Sequence, residues 1–265
     1  MKLKRSITIL FVSVCLVLLI SCSAGQKTQA YNPHFTWIPA QHSTSSSAQV
    51  TFAIINPVYD EGQSWALRSF PEFSTNLARS FDELLVSKGF TVKGPYNSLN
   101  ALTFQDKKGS ELAIYPSLSV YIKFLDSKWS MEFGSSLLSG LLDKNSPNNY
   151  KLTGNVVMGG QVSIIALEPL SGEKMWVKNI MLSDTVFQIE SEKLFKGIGQ
   201  NPPGDLSGFE VPAAYLIDNG LRTPIAMALE NYYAKVLNTA QNYLDVEEMQ
   251  SLKKQVEEIR SKKVY

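Results

Sequence analysis

The chain has 265 residues and a formal net charge of +1, with 44% hydrophobic and 18% charged residues. This composition is typical of a globular protein, and the near-neutral charge argues against a nucleic-acid-binding surface. Both cysteines (Cys15, Cys22) and both histidines (His34, His42) precede residue 43. The rest of the chain therefore offers no disulfide, no Cys or His metal ligand and no histidine general base, and we expect a non-enzyme without cofactor or metal.

Residues 1–22 have the order of a bacterial lipoprotein signal. Three basic residues precede an apolar run at 7–20, which is shorter than the ~20 residues of a membrane-spanning helix. The run ends in LISC, which resembles the lipobox, whose cysteine is acylated and becomes the first residue of the mature chain. We therefore predict a signal peptide at 1–21 and lipidation of Cys22, the alternative being an uncleaved transmembrane anchor. Ser23 stands where an aspartate retention signal would be, which favours the outer membrane.

Residues 22–49 follow as a predicted tether. The segment contains a serine- and threonine-rich stretch at 43–47 and shows no apolar periodicity, so we expect an extended chain. Three aromatic residues interrupt its polar character, namely Tyr31, Phe35 and Trp37. Two readings stay open for them: they dock on the domain, or they lie at the membrane interface, which suits Trp and Tyr.

Hydrophobic patterns predict one domain over residues 50–265. Capping-box spacing at Ser69 and Glu72 starts the first helix, and Pro116 predicts an edge or a bulge in the long third strand. The fold class is α+β, with a mostly antiparallel sheet, helices packed on one face and helices at the C-terminus. The predicted elements are strands at 50–55, 90–93, 111–124, 156–168 and 174–182, and three helices: one at 69–88, one capped by Thr223 before Pro224, and one capped by Asp245.

Two segments admit more than one reading. Residues 126–150 are rich in large apolar residues, which indicates either a buried helix or flap over the sheet or an exposed arm that meets a partner or membrane. The terminal helix carries an apolar seam at Met249, Leu252, Val256 and Ile259. That seam indicates either a helix lying on the sheet or a coiled coil with a partner.

The sequence carries few patterns typical of catalysis. Ser171 and Lys174 have the spacing of a Ser–Lys nucleophile pair, but they fall in a predicted hairpin turn rather than at a helix start. The glycine-rich loop at 197–212 lacks the third glycine of a dinucleotide fingerprint. Pairs of neighbouring carboxylates such as Glu257 and Glu258 point apart on a helix, so they do not form an acid–base pair.

The segment VSIIALEPLSGEK at 162–174 resembles the signature hairpin of the neuraminyllactose-binding haemagglutinin family, the HpaA-type adhesin lipoproteins of Helicobacter and its relatives. VTFAIINP at 50–57 stands in the place of the family's first strand. SFDELLVSKGFTV at 80–92 follows the family's order of helix, glycine and strand. The helix at 226–244 and the charged tail complete a resemblance that spans residues 50–262.

The resemblance implies a lipid-anchored protein of the outer membrane or cell surface, in some members associated with a flagellar sheath. The activity named for the family is binding of sialylated glycans, and no catalytic residue is implied. The family's proposed sialic-acid motif is a lysine-rich stretch after the long strand, whereas residues 123–129 here read KFLDSKW. The motif is therefore not carried over, and Lys123, Lys128 and Trp129 stand as ligand-binding candidates on their chemistry alone.

Three hypotheses about function follow. The first is an outer-membrane adhesin that binds sialylated glycans or a surface partner. The second is a periplasm-facing envelope-assembly lipoprotein that binds a protein partner through residues 126–150 or the terminal helix. The third, a hydrolase, is disfavoured because the domain lacks a histidine and a cysteine. In each of the first two, acyl chains on Cys22 hold the protein to the membrane and no nucleic acid is bound.

Overall fold

A computed structural model describes residues 31–39, 49–59, 65–131, 149–190, 195–196, 204–211 and 221–263. The strands are β1 (Thr51–Ile55), β2 (Val58–Tyr59), β3 (Thr91–Tyr96), β4 (Leu112–Met131), β5 (Asn149–Leu167), β6 (Lys174–Glu190) and β7 (Phe195–Lys196). The helices are α1 (Trp65–Arg68), α2 (Pro71–Ser87), α3 (Phe104–Lys108), α4 (Arg222–Tyr243) and α5 (Val246–Lys262), with a 3₁₀ turn at Leu99–Ala101.

The strands form one mixed sheet in the order β3-β1-β4-β5-β6. The long strands β4, β5 and β6 pair antiparallel, and their ladders make up most of the sheet. The short strands β1 and β2 pair parallel with β4, and β3 pairs parallel with β1. With the long helices at the C-terminal end of the chain, the predicted α+β class is confirmed.

One face of the sheet, which we call the covered face, packs against a helix layer of α2, α4 and α5. Along β4 this face presents Leu118, Val120, Ile122 and Phe124, each at most 2% exposed. On the helix side, Tyr232 of α4 places its Oη 2.8 Å from the carbonyl oxygens of Met158 and Ser183 in β5 and β6. The main hydrophobic core therefore lies between the sheet and these three helices.

A smaller apolar cluster lies on the other face, near the start of β4. Ala53, Ala113, Ile165 and Leu167 point to that side, and Leu102, which follows the 3₁₀ turn, packs over them. A capping box at Thr103 and Asp106 starts α3 just after this contact. The short segment from the 3₁₀ turn to α3, which the sequence did not predict, thus closes this end of the second face.

Part of the predicted tether docks on the helix layer. Phe35 is 2% exposed and meets Phe73 of α2 edge-on, with ring centroids 5.2 Å apart. The Trp37 indole donates to Asn238 of α4 at 2.8 Å. Of the two readings of these aromatics, docking on the domain is therefore the one observed for Phe35 and Trp37. Residues 32–265 form one compact unit, and the limits 1–21, 22–49 and 50–265 stay predictions.

Two predicted helix caps are wrong. The first long helix starts at Pro71 with Phe70 in the N-cap position and no side-chain cap, so Ser69 and Glu72 form no capping box. Helix α4 starts at Arg222 after Leu221, and Thr223 does not cap it. In both cases an apolar residue that is at most 1% exposed holds the cap position, which indicates that packing fixed the helix start. The predicted cap at Asp245 is confirmed, since Asp245 accepts from the backbone of Glu247 and Glu248.

The prediction of an edge at Pro116 is confirmed locally, on the side of β4 that faces β1 and β2. Pro116 pairs with Ile164 inside the regular β4–β5 ladder, and β4 is a central strand. The ladder tolerates a residue without an N–H because, on the other side, β1 reaches Ile114 and β2 begins at Ser117. Pro116 therefore lies opposite the break between two short strands, where no donor is required.

The sequence left alternatives open for residues 126–150 and for the terminal helix, and the structure decides only the second. Strands β4 and β5 extend to Met131 and back from Asn149, so the ends of the 126–150 segment are strands, and residues 132–148 lie outside the described residues. In α5, Met249 and Val256 are fully buried, Leu252 is 6% exposed and Ile259 is half-buried. The apolar seam therefore packs within the domain and leaves no coiled-coil surface.

Candidate functional site

The candidate site lies on the face of β4, β5 and β6 opposite the helix layer, which we call the open face. It begins at Ser117, beyond the small apolar cluster, and continues toward Ser130. Strand register assigns its members, because residues paired across an antiparallel ladder share a face. They are Ser117, Ser119, Tyr121, Lys123, Asp126, Lys128 and Ser130 of β4, Thr153, Asn155, Val157, Gln161 and Ser163 of β5, and Asn179, Met181, Asp184, Val186, Gln188 and Glu190 of β6.

A depression of about 600 Å³ lies in the middle of this face. Its lining combines an aromatic ring, a cation, a carboxylate, an amide and a thioether, supplied by three adjacent strands. Such a mixture suits a polar ligand that also has apolar faces, because hydrogen-bonding groups and flat contact surfaces lie side by side. The lining residues are Ser119, Tyr121, Lys123, Gly160, Gln161, Met181, Leu182 and Asp184.

The central contact of the depression joins Tyr121 to Asp184. The Tyr121 hydroxyl donates to Asp184 Oδ1 at 2.9 Å, which links β4 and β6 over the top of β5. The hydrogen bond to Asp184, together with burial and the negative charge of that carboxylate, raises the pKa of Tyr121. Tyr121 therefore keeps its proton at neutral pH, and it serves as a fixed donor and a ring surface rather than as a base.

Gly159 and Gly160 make this contact possible. A Cβ on Gly159 would lie 2.2 Å from Asp184 Oδ1 and 2.6 Å from the Tyr121 hydroxyl. Gly160 has φ of +147°, and a Cβ there would lie 2.1 Å from the backbone oxygen of Ser119. The glycine pair coincides with a bulge in the β5–β6 register, so it lets the two side chains meet over the backbone of β5.

The same bulge is held from the covered face. Tyr232 of α4 reaches the carbonyl oxygens of Met158 and Ser183, which flank the bulge on its two strands. Tyr121 and Asp184 thus hold the bulge on the open face, and Tyr232 holds it on the covered face. A site built on a supported sheet keeps its geometry better than one on a loop.

Lys123, one of the three predicted ligand-binding residues, lines the depression. Its Nζ lies 5.1 Å from the centroid of the Tyr121 ring, within range of a cation–π contact. An isolated bridge to Glu210 also ties the Lys123 backbone to the segment at 204–211. Lys123 therefore offers a positively charged donor at the rim of the depression.

Lys128 and Trp129 do not join Lys123. Lys128 shares the open face, but its strand partner Thr153 is four residues from the partner of Lys123, which is about 13 Å along the strand. Trp129 pairs with Leu152, which is fully buried, and so points to the opposite face. The register shift near Leu125 causes this split, because one extra residue exchanges the two faces beyond it.

A second depression of about 470 Å³ continues along the open face beside Lys128. It is lined by Thr153, Gly154, Asn155, Gln188, Ile189 and Glu190. Asn155 is held from the neighbouring strand, where its side-chain amide donates to Asp126 at 2.7 Å. Both depressions lie on one surface of mixed charged and uncharged hydrogen-bonding groups, so an extended ligand could contact both.

The LEPLSGE hairpin has a structural role in this fold. Glu168 is 0% exposed, and its carboxylate accepts from the Ser171 backbone at 2.5 Å and from Arg260 of α5 at 2.7 and 2.9 Å. Burial acts to raise the pKa of Glu168, but the bonds from Ser171 and Arg260 outweigh it and hold that pKa below its usual range. The hairpin turn is therefore locked to the terminal helix by a buried ion pair.

The other chemical candidates stay outside the site. Ser171 lies in this turn, where its Oγ accepts from the Glu173 backbone at 3.2 Å. Within the described ranges, no group of three or more His, Cys, Asp or Glu residues could hold a metal ion. In that same part of the chain, no helix has the length and apolar character needed to span a bilayer. Cys22 lies outside the described residues, so its lipidation stays a prediction.

Sequence patterns found only part of the site. Alternation along β4 places Ser119, Tyr121 and Lys123 together on the less apolar side of the strand. Gln161 could be placed on the same face only once the register of β5 was known. Asp184 falls beyond the predicted end of β6 at residue 182, and no local signal shows that a bulge would turn it toward Tyr121. The glycine pair at 159–160 is the one signal that could have located the bulge.

Together these features define an α+β domain with helices on one sheet face and a polar, recessed opposite face. A comparison of solved structures finds a similar fold in a neuraminyllactose-binding hemagglutinin homolog from Helicobacter pylori, with a TM-score of 0.53 and 15% identity. The alignment covers 83% of this chain and 98% of that one. The family resemblance of the sequence is thus confirmed as a likeness of fold.

Two further structures are more distant. A lipoprotein, GNA1162, from Neisseria meningitidis has a TM-score of 0.24 and 10% identity over 69% of this chain and 96% of that one. The hypothetical protein CT253 from Chlamydia trachomatis has a TM-score of 0.18 and 14% identity over 69% and 97%. Likeness at this level carries no argument about fold or function. No protein-family model matches the chain, and no curated protein matches it.

Proposed function

We propose that this protein is a lipid-anchored envelope protein of the outer membrane that binds sialylated glycans through its open face and does not catalyse a reaction. The observation that carries the proposal is the depression around Tyr121, Lys123 and Asp184, on a face that the helix layer leaves uncovered. The likeness of fold to a neuraminyllactose-binding hemagglutinin homolog supports the choice of ligand class.

The chemistry of the depression suits an acidic sugar. A sialic-acid carboxylate would be bound by Lys123 as a charge-assisted hydrogen bond. Sugar hydroxyls would donate to Asp184 and exchange hydrogen bonds with the Gln161 amide. Tyr121 and Met181, which is 64% exposed, would contact the apolar faces of the sugar rings. Lys128 would add a second contact only for a glycan long enough to reach about 13 Å further along the sheet.

Binding is tested with the mature chain and a matched pair of glycans that differ only in the terminal sialic acid. We expect the wild-type chain to prefer the sialylated member and the Lys123→Gln variant to lose that preference. Lys254→Gln is the control, because Lys254 is an exposed lysine of α5 on the other side of the domain. Equal binding of the two glycans by the wild-type chain would exclude the proposed ligand.

The anchor and the orientation need separate measurements. Metabolic labelling with an alkynyl palmitate should mark the wild-type protein and not a Cys22→Ala variant. Protease shaving of intact cells should then degrade the domain if it is displayed outside the cell. A labelled but protected domain would favour the periplasm-facing alternative, in which a protein partner takes the place of the glycan.

A further inference from the structure

The two edges of the sheet differ in how they are protected. The β3 edge is six residues long and contains Gly94 and Pro95, the second of which has no N–H to offer a neighbouring strand. The β6 edge is 17 residues long and contains neither glycine nor proline. In the ranges that the structure describes, no strand pairs with β6 on its outer side.

The β6 edge also exposes apolar side chains. Val177, Met181 and Val186 are 44%, 64% and 54% exposed. Their strand partners are Ile165, Gln161 and Val157, which all belong to the same side of the sheet, so the three residues form a row along the edge of the open face. A long edge strand with an exposed apolar row is the kind of surface that pairs with another strand.

The charged residues of β6 indicate which kind of strand could pair with its outer edge. Both of its basic residues, Lys174 and Lys178, lie in the first half, and both of its acidic residues, Asp184 and Glu190, lie in the second half. An antiparallel pair of two identical strands sets the first half of each against the second half of the other. Lys178 lies on the covered face, where it pairs with Glu248 of α5. Lys174 shares the open face with Asp184 and Glu190, so an antiparallel copy brings Lys174 of each strand near Glu190 of the partner subunit.

We propose that a second copy of this chain pairs with the β6 edge, antiparallel and about a two-fold axis close to Met181. The bulge in β6 makes Val177, Asn179 and Met181 face the same way as Asp184 and Val186. The register that keeps every side chain on its own face therefore sets Val177 opposite Val186 of the partner subunit, once on each side of the axis. Two cross-strand apolar contacts and the backbone ladder between the two β6 strands then stabilise the dimer.

The pairing has a consequence for the open face, and this step rests on the proposed function. Met181, Leu182 and Asp184 of β6 line the central depression, so each depression lies next to the shared edge. A dimer would place two depressions side by side on one continuous sheet. Two sites of low affinity that are held on one rigid body bind a multivalent glycan surface much more tightly than either site alone.

The experiment uses the full-length chain in its own envelope, with a single cysteine introduced near the axis. Met181→Cys should form a disulfide-linked dimer on mild oxidation, seen on a non-reducing gel, because the two residues would lie within disulfide reach. Val86→Cys and Met227→Cys are controls on α2 and α4, at 56% and 52% exposure. The wild-type chain controls for Cys22. We expect at least tenfold more dimer for Met181→Cys than for either control.

A second variant tests the register. Val177→Lys with Val186→Lys, added to Met181→Cys, should abolish the cross-linked dimer, since each new lysine would face another lysine across the interface. Both sites are exposed, and an unchanged melting temperature would show that the fold is kept. Absence of the Met181→Cys dimer, or equal dimer in the controls, would overturn the proposal. Glycan binding is not part of this readout, so failure of the dimer and failure of the proposed function are distinguishable.

Discussion

The two faces of the β4–β6 sheet are made from alternate residues of the same strands, yet they serve different purposes. On the covered face, Val120 and Ile122 are each 1% exposed beneath the helix layer. On the open face, Tyr121 and Lys123 line a depression. Stability is therefore concentrated in every second residue, and the residues between them are released from packing and available for binding. Mutations one residue apart in these strands should therefore separate folding from binding.

The largest effect is expected from the pair Ile122→Ala and Lys123→Ala. Truncation of Ile122 leaves a cavity in the main core and should lower the free energy of unfolding by about 2–5 kcal/mol. Truncation of Lys123, its neighbour on the open face, should change it by less than about 0.5 kcal/mol. Urea unfolding followed by circular dichroism measures both. Similar losses for the two variants would show that the open face is also a packing surface.

The two adjacent glycines of β5 should also differ in their effects on stability and binding. Gly160→Ala should cost about 2–3 kcal/mol, because its Cβ would meet the Ser119 backbone and its φ of +147° disfavours a side chain. Gly159→Ala should cost only about 1 kcal/mol, since the Asp184 and Tyr121 side chains can move away.

The measurements are the urea midpoint and glycan affinity for each variant. Gly159→Ala should lose most of its glycan binding despite the smaller loss of stability. If its binding were unchanged, the Tyr121–Asp184 contact would have no part in the site.

A smaller effect is expected from Tyr121→Phe, which removes the hydroxyl that donates to Asp184 and keeps the ring. The hydrogen bond is partly exposed, so the free energy of unfolding should fall by about 0.5–1 kcal/mol. Stacking against a sugar should survive in this variant and be lost in Tyr121→Ala. Titration of the matched glycan pair against both variants checks this, and equal affinities would assign no role to the ring.

The smallest change in stability near neutral pH is expected for Glu168, which lies in the hairpin turn and on neither face of the sheet. Its folded pKa is depressed, so its contribution to stability is complete above the ordinary glutamate pKa of about 4.5 and is lost as the pH falls through the folded value. Urea midpoints of the wild-type chain should therefore drop below pH 4.5. The double variant Glu168→Gln with Arg260→Met should lack this part of the drop, and an identical pH profile would contradict the assignment.

The sequence predicts the repetitive parts of this molecule well. Alternation over 111–124 identifies both faces of β4, and the seam from Met249 to Val256 identifies the buried side of α5. Limits that depend on tertiary packing were predicted less accurately, such as the start of α2 after Phe70 and the extension of β6 to Glu190. The candidate site could be predicted only in part. Lys123 follows from alternation, whereas Asp184 depends on a bulge that only the β5–β6 register reveals.

The ion pair between Glu168 and Arg260 links residues that are 92 positions apart. A chain that crosses a membrane from its N-terminus would deliver the hairpin long before it delivers α5. Until Arg260 arrives, the Glu168 carboxylate has only donors from its own turn, such as the Ser171 backbone, so the hairpin should stay more hydrated than in the folded domain. If the chain is exported as predicted, the hairpin would become rigid only after the last helix has crossed the membrane.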